Sequence, residues 1–381
     1  MGYIPEQKYK SIFKTYLIYF ISMVCFCLVR ILASEGWMNV GNAYVSDAFY
    51  TILIQVGLMF LLPLFLYCNT INVKPKQVFK TCNFEKTNWR VIIISFAIGI
   101  IVFVINIIVS TLFNGLITST GYQTPIIMAE SVTTNASIWA FLFDVIFVAV
   151  LPGFCEEFMH RGILLQGTKH MGFTRSIIIS GIMFGLIHFN INQVSYAIVL
   201  GIIIGFVSVV AKNIWPAIII HFTNNFISVY LDYANLNGWP LGNFYEWFNT
   251  ALQKLSMVTI FIIIAVVLIV VVLLLLWLIV LLFKQSILRK VNKAIEKVYS
   301  SEDYEVQNSP VIVDKSQMIS EMLSSNTMLN LDYEEMKNPL QVVMPKQKQI
   351  YKTTFKDNLF LFASMFLGVV ITIFTFVWGF I

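Results

Sequence analysis

The sequence predicts an all-α polytopic membrane protein. It comprises a bundle of about eight core membrane helices, a C-terminal cytoplasmic insert and a ninth membrane helix. Three observations predict it. The 381 residues are 58% hydrophobic and 12% charged, where a soluble domain is roughly 45–50% apolar and 25% charged. Apolar runs long enough to span a bilayer recur along the chain. Lys and Arg gather in alternate loops, as the positive-inside rule requires. That distribution accounts for the net charge of +5 without invoking nucleic acid.

Taken in order, residues 12–33 form the first span, with Arg30 near its end. Residues 50–68 form the second, and 91–118 the third, which is long enough to tilt. The fourth starts at Ile138. Residues 176–189, 193–210 and 214–230 form a close-set trio, 257–283 an almost unbroken apolar run, and 359–381 the ninth span. The chain therefore divides into N-terminal helices (1–137), a core (138–230), an outer loop with the eighth helix (231–283), a polar insert (284–357) and a last helix (358–381). Within the trio, Gly181-x-x-x-Gly185 and Ala197-x-x-x-Gly201-x-x-x-Gly205 are small-residue stripes that allow helix backbones to approach closely. The insert opens with an amphipathic pattern over 286–299. It carries its bases beside the two flanking spans and its acids in the middle, a distribution suited to contact with anionic headgroups.

The loop charges give an orientation. Residues 69–90 carry Lys74, Lys76, Lys80, Lys86 and Arg90 against Glu85 alone. Loops 34–49 and 119–137 carry no Lys or Arg, and 231–256 carries only Lys254. The N-terminus and the insert are expected to be cytoplasmic, and the setting a bacterial plasma membrane. Residues 1–10 lack an apolar stretch and a cleavage site, so the first span is expected to serve as an uncleaved signal. Five cysteines without metal spacing read as free thiols.

Against this background, Gly153-Phe-Cys-Glu-Glu-Phe-Met-His-Arg-Gly162 stands out. Charged groups in a bilayer cost at least ~2.5 kcal/mol each, and those present are usually functional. On a helix, Glu157 and Arg161 are i,i+4 neighbours and pair. Glu156, about 100° around the axis, is left to act as a general base. Downstream come Phe184-Gly-Leu-Ile-His188 and His221-Phe-Thr-Asn-Asn225, the latter with His221 and Asn225 on one face and Asn224 pointing elsewhere. Imidazole and amide N–H groups there can hold an oxyanion. Residues 176–189 make a helix of about 21 Å at 1.5 Å per residue, shorter than a ~30 Å bilayer core. Glu156 and His188 are thus expected to meet in an interior cavity at intermediate depth that opens to the cytoplasm.

EExxxR, FxxxH and HxxxN, in that order over 138–230, resemble the CAAX-protease and bacteriocin-processing family of intramembrane endopeptidases, also called the Abi family. The resemblance implies a catalytic set of Glu156, Glu157, Arg161, His188, His221 and Asn225. In that set Glu156 activates water and Glu157 with Arg161 forms the orienting pair. His188 positions the water or ligates a metal. Metal use is open on this reading: Glu156, His188 and His221 can hold a divalent ion such as zinc, or activate water without one. The family usually has an aromatic residue where this chain has His160, which instead forms a single Glu-x-x-His spacing with Glu157. The implied substrate is a peptide or protein, either a prenylated protein or a bacteriocin or signal peptide, met in membrane lipid. Two other readings remain: a non-catalytic scaffold or immunity protein of the same family, and a proton-coupled transporter, against which stands the absence of a repeat.

Overall fold

A computed structural model describes residues 5–123, 137–299 and 352–379. Every regular element among these is helical. We number them α1 (Pro5–Ser34), α2 (Ala43–Ile71), α3 (Pro75–Thr81), α4 (Trp89–Thr118), α5 (Ile138–Met171), α6 (Phe173–Leu186), α7 (Ile191–Ala211), α8 (Trp215–Asn237), α9 (Phe244–Gln253), α10 (Met257–Tyr299) and α11 (Leu359–Trp378). Seven of them, α1, α2, α4, α5, α7, α10 and α11, are long and apolar enough to cross a membrane. The protein is therefore a multi-pass integral membrane protein. α6 is short, with 14 residues, and α8 carries His221, Thr223, Asn224 and Asn225, which lower its apolarity.

Local chemistry explains the boundaries. Asn42, Asn88, Ser137 and Asn190 cap α2, α4, α5 and α7 by accepting from free N–H groups of the first turn. Asn72, Lys212 and Gly238 end α2, α7 and α8 in the left-handed conformation. Two helices carry wide π turns: α2 over Leu53–Leu61, and α5 over Val145–Val150 and again over Phe158–Leu164. Such turns mark functional sites more often than ordinary helix. Pro152 follows the first π turn of α5. It has no N–H to give back to Val148 O, and Asn225 Nδ2 donates to that carbonyl instead, at 3.1 Å.

Several boundaries differ from the sequence expectation. α2 begins at Ala43, ahead of residue 50. The amphipathic stretch 286–299 runs on from the eighth span as the continuation of α10, as its pattern leads one to expect. α6 stops at Leu186, so His188 sits in a turn beyond its end, ahead of Phe189 at φ 50°. α5 runs on to Met171, which puts Glu156 near the middle of a 34-residue helix. Most of the 284–357 insert lies outside the described residues.

Two apolar clusters hold the bundle. One joins α4, α7, α8 and α10 around Val102, Leu200, Ile204, Ile220 and Leu282. The other joins α1, α2, α5, α6 and α11 around Tyr16, Met59, Met159, Met183 and Leu361. α6 and α7 form the seam between them, and their glycines set its closeness. A Cβ on Gly181 would stand 2.8 Å from Ile202 N, and one on Gly201 would stand 2.8 Å from Gly181 Cα. Gly205 meets nothing nearer than 3.5 Å, so only part of the expected stripe requires glycine. Gly201→Ala should therefore lower stability by about 1–3 kcal/mol, the usual cost of overpacking. Thermal unfolding in detergent measures it, and an unchanged midpoint would show that the seam can relax.

Hydrogen bonds tie the helix ends into two groups. At one end, Asn213 Nδ2 donates to Glu85 O and Thr87 Oγ1, Ile214 N donates to Asn83 O, and Arg289 Nη2 donates to Ala211 O and Lys212 O. Lys74, Lys76, Lys80, Lys86 and Arg90 stand at this basic end. At the opposite end, Arg30 Nη1 donates to His188 O, Ile191 N to Thr375 Oγ1 and Tyr233 Oη to Asp144 Oδ2.

Candidate functional site

The two glutamates of the EExxxR stretch go separate ways. Glu157 points into the protein, fully buried with Arg161. Its Oε1 accepts from Arg161 Nη1 and from His221 Nδ1, each at 2.9 Å. Arg161 is held from two further sides: Nη2 donates to Gly201 O at 2.8 Å, and the guanidinium lies 4.6 Å from the centre of the Phe184 ring. This knot links α5, α6, α7 and α8 in one place. The close approach of α6 and α7 at Gly201 brings that carbonyl within the arginine's reach.

Glu156 points the other way, into a cavity of about 740 Å³. Its Oε1 accepts from Gln55 Nε2 at 2.8 Å. Gln55 stands on the π stretch of α2, and its own carbonyl oxygen is buried without a partner. Glu156, His188, His221 and Asn225 all line this cavity. Glu156 and His188 are near enough to interact electrostatically. Glu157 and Arg161 lie behind the wall, touching it through His221 and Phe184.

The hydrogen bonds fix the ring tautomers. His188 Nδ1 contacts Phe184 O at 2.7 Å. A carbonyl only accepts, so Nδ1 carries the proton and Nε2 keeps its lone pair in the neutral ring. His221 Nδ1 likewise donates to the Glu157 carboxylate, leaving Nε2 as an acceptor. The turn holding His188 is itself pinned by Arg30, through the 2.7 Å bond to His188 O.

Three expectations change. An oxyanion donor at His221 is not the N–H the spacing suggests, because that N–H is given to Glu157, and donation from Nε2 requires a protonated ring. Asn224 does not point elsewhere. It lines the cavity, donates to Asn225 Oδ1 and accepts from Asn106 Nδ2. His160 is neither beside the cavity nor joined to Glu157. It is buried against α1, with Nδ1 on Glu156 O at 2.8 Å and Nε2 on Tyr19 Oη at 3.0 Å.

No three His, Cys, Asp or Glu side chains among the described residues are arranged to hold a metal ion. Glu156, His188 and His221 share the cavity without forming such a set.

The cavity also opens differently from the sequence expectation. Beyond Glu156 its lining runs to Tyr50 on α2, Thr111 on α4, Gln193 on α7, Asp232 on α8 and Phe248 on α9. All of these lie toward the end opposite the basic loops. The expected opening toward the basic end is thus not where the lining leads, because His188 follows the end of α6 and Glu156 lies midway along α5.

Sequence reasoning missed Gln55, Arg30 and Asn106. A lone Gln or Asn in an apolar helix costs energy unless bonded, and that was the signal available for Gln55 and Asn106. Residues 138–227, about a quarter of the chain, match the family model described as type II CAAX prenyl endopeptidase Rce1-like. No curated protein and no solved structure matches the chain.

Proposed function

We propose that this protein hydrolyses a peptide bond within the membrane, using water activated by Glu156; the match of residues 138–227 to the type II CAAX prenyl endopeptidase Rce1-like model supports the reading. The observation that carries this is the separation of the two glutamates. One is pinned and buried, and the other faces a cavity shared with two histidines.

On this reading Gln55 fixes the Glu156 carboxylate with one oxygen held and the other directed at water. Glu156 takes one proton from the water as its oxygen adds to the peptide carbonyl. His188 Nε2 accepts the water's second hydrogen and so orients the lone pair that attacks. The carbonyl oxygen gains the negative charge, and the second amide N–H of Asn225, not given to Val148 O, is the neutral donor within the set. Glu156 then returns its proton to the leaving amine, and the C–N bond breaks. Glu157 with Arg161 holds His221 in its tautomer and place. No step is routed through a metal: among the described residues no three His, Cys, Asp or Glu side chains are arranged to hold one.

The test is full-length protein in detergent with a degenerate peptide library, read by mass spectrometry for new termini. Sequence-selective cleavage is the expected result. Intact library with well-folded protein would sink the reading in favour of a scaffold that keeps the motifs for their packing.

A further inference from the structure

The charges of the two ends and the position of the cavity belong together. The basic end holds the five bases of residues 69–90 with Glu85 alone, joined by Lys169, Arg175, Lys212, Lys284 and Arg289. The opposite end holds Glu35, Asp47, Asp144, Asp232 and Glu246, with Arg30 and Lys254 as its only bases among the described residues. Bases flanking membrane helices stay on the cytoplasmic side. The cavity runs from Glu156 at the middle of the bundle to the acidic end, and its lining includes nothing from the basic loops. Toward the basic end it is closed by the layer of Glu157, Arg161, His221 and Phe184.

The cavity is also built to receive a polar chain. Gln55 Oε1 and Asn106 Oδ1 are buried and unpartnered, on residues 8% and 7% exposed that line it. An unmade bond at a buried acceptor costs about 1–3 kcal/mol, and the N–H groups of an extended peptide can supply the missing donors.

We propose that the cavity is loaded from the face of the membrane away from the cytoplasm. Its substrate is then a translocated peptide segment, the non-cytoplasmic stretch of an exported or membrane-anchored polypeptide, whose backbone N–H groups meet Gln55 and Asn106. This rests on the endopeptidase reading for the identity of the substrate, but the side of entry does not.

The experiment is cysteine labelling in cells with a membrane-impermeant maleimide. Thr111→Cys and Ser228→Cys report the cavity, Thr81→Cys reports the basic end, and the parent chain gives the background. At the basic end that background comes from the half-exposed Cys68, since Cys82 is buried. Thr111→Cys and Ser228→Cys should be labelled in intact cells, and Thr81→Cys only once cells are opened. A pool of random apolar peptides added outside should slow labelling at Ser228→Cys severalfold, without slowing Thr81→Cys in opened cells. Labelling of the cavity positions only in opened cells, or not at all, overturns the side of entry. Labelling from outside that peptides do not slow overturns the peptide as occupant. Neither result depends on cleavage, so the failure of catalysis and the failure of this inference are separately visible.

Discussion

Glu156→Gln abolishes peptide cleavage on our reading, by ~10²–10⁴-fold in kcat, the usual contribution of a positioned general base. The substitution is nearly isosteric. Gln55 Nε2 can still donate to the carbonyl oxygen at position 156, so the bond seen at 2.8 Å survives and the fold should hold. What is lost is the ability to take a proton. The prediction is therefore a split: lost turnover with unchanged thermal midpoint and unchanged peptide affinity. The check is purified variant and parent side by side on the same peptide, with unfolding followed in the same detergent. Cleavage by the variant at the parent rate would remove Glu156 from the chemistry.

Arg161→Ala is expected to destabilise the protein by about 3–5 kcal/mol, because it leaves Glu157 as an uncompensated buried charge. Both side chains are fully buried, and Gly201 O and the Phe184 face would lose their partner as well. Arg161→Lys keeps the charge but presents a single ammonium, which cannot serve Glu157 and Gly201 O from a planar fork. Its loss should be smaller than that of alanine. A second variant separates charge from packing. Arg161→Met combined with Glu157→Gln removes both charges and should recover stability relative to Arg161→Ala, while His221 loses its carboxylate. Thermal unfolding in detergent reads all three. Arg161→Ala melting with the parent would mean that the pair holds nothing together.

The sequence made the architecture legible wherever one physical rule dominated. Apolar length marked the spans, and i,i+4 spacing foretold the Glu157–Arg161 bond. It was less informative where an element's end depends on its neighbours. Residues 176–189 alone do not say that the helix stops at Leu186: His188 Nδ1 donates to Phe184 O within the stretch, but the turn is pinned by Arg30, which donates to His188 O from a distant helix. The Glu156–Gln55 bond spans 101 positions of sequence, so no local pattern carries it. His221 and Asn225 share a helix face as their spacing requires, yet that geometry could not reveal how their donors are used. One serves Glu157 and the other serves Val148 O, and the second need arises only because Pro152 has no N–H.

The wide turns of α5 bear on how this helix tolerates changes in length. A π turn holds one residue more than the α turn it replaces. Deleting a residue within Val145–Val150 can therefore be absorbed by tightening the turn, with the helix left whole and still spanning. Tightening removes the extra residue that the turn held, so the faces on either side stay in register, and Asp144 can keep its bond to Tyr233 and Phe147 its place in the cavity wall. In a helix without such a turn, such as α7, the same deletion would rotate every side chain on one side by about 100° relative to those on the other. The wide turn is thus where α5 can lose a residue and keep its cavity lined by the same side chains.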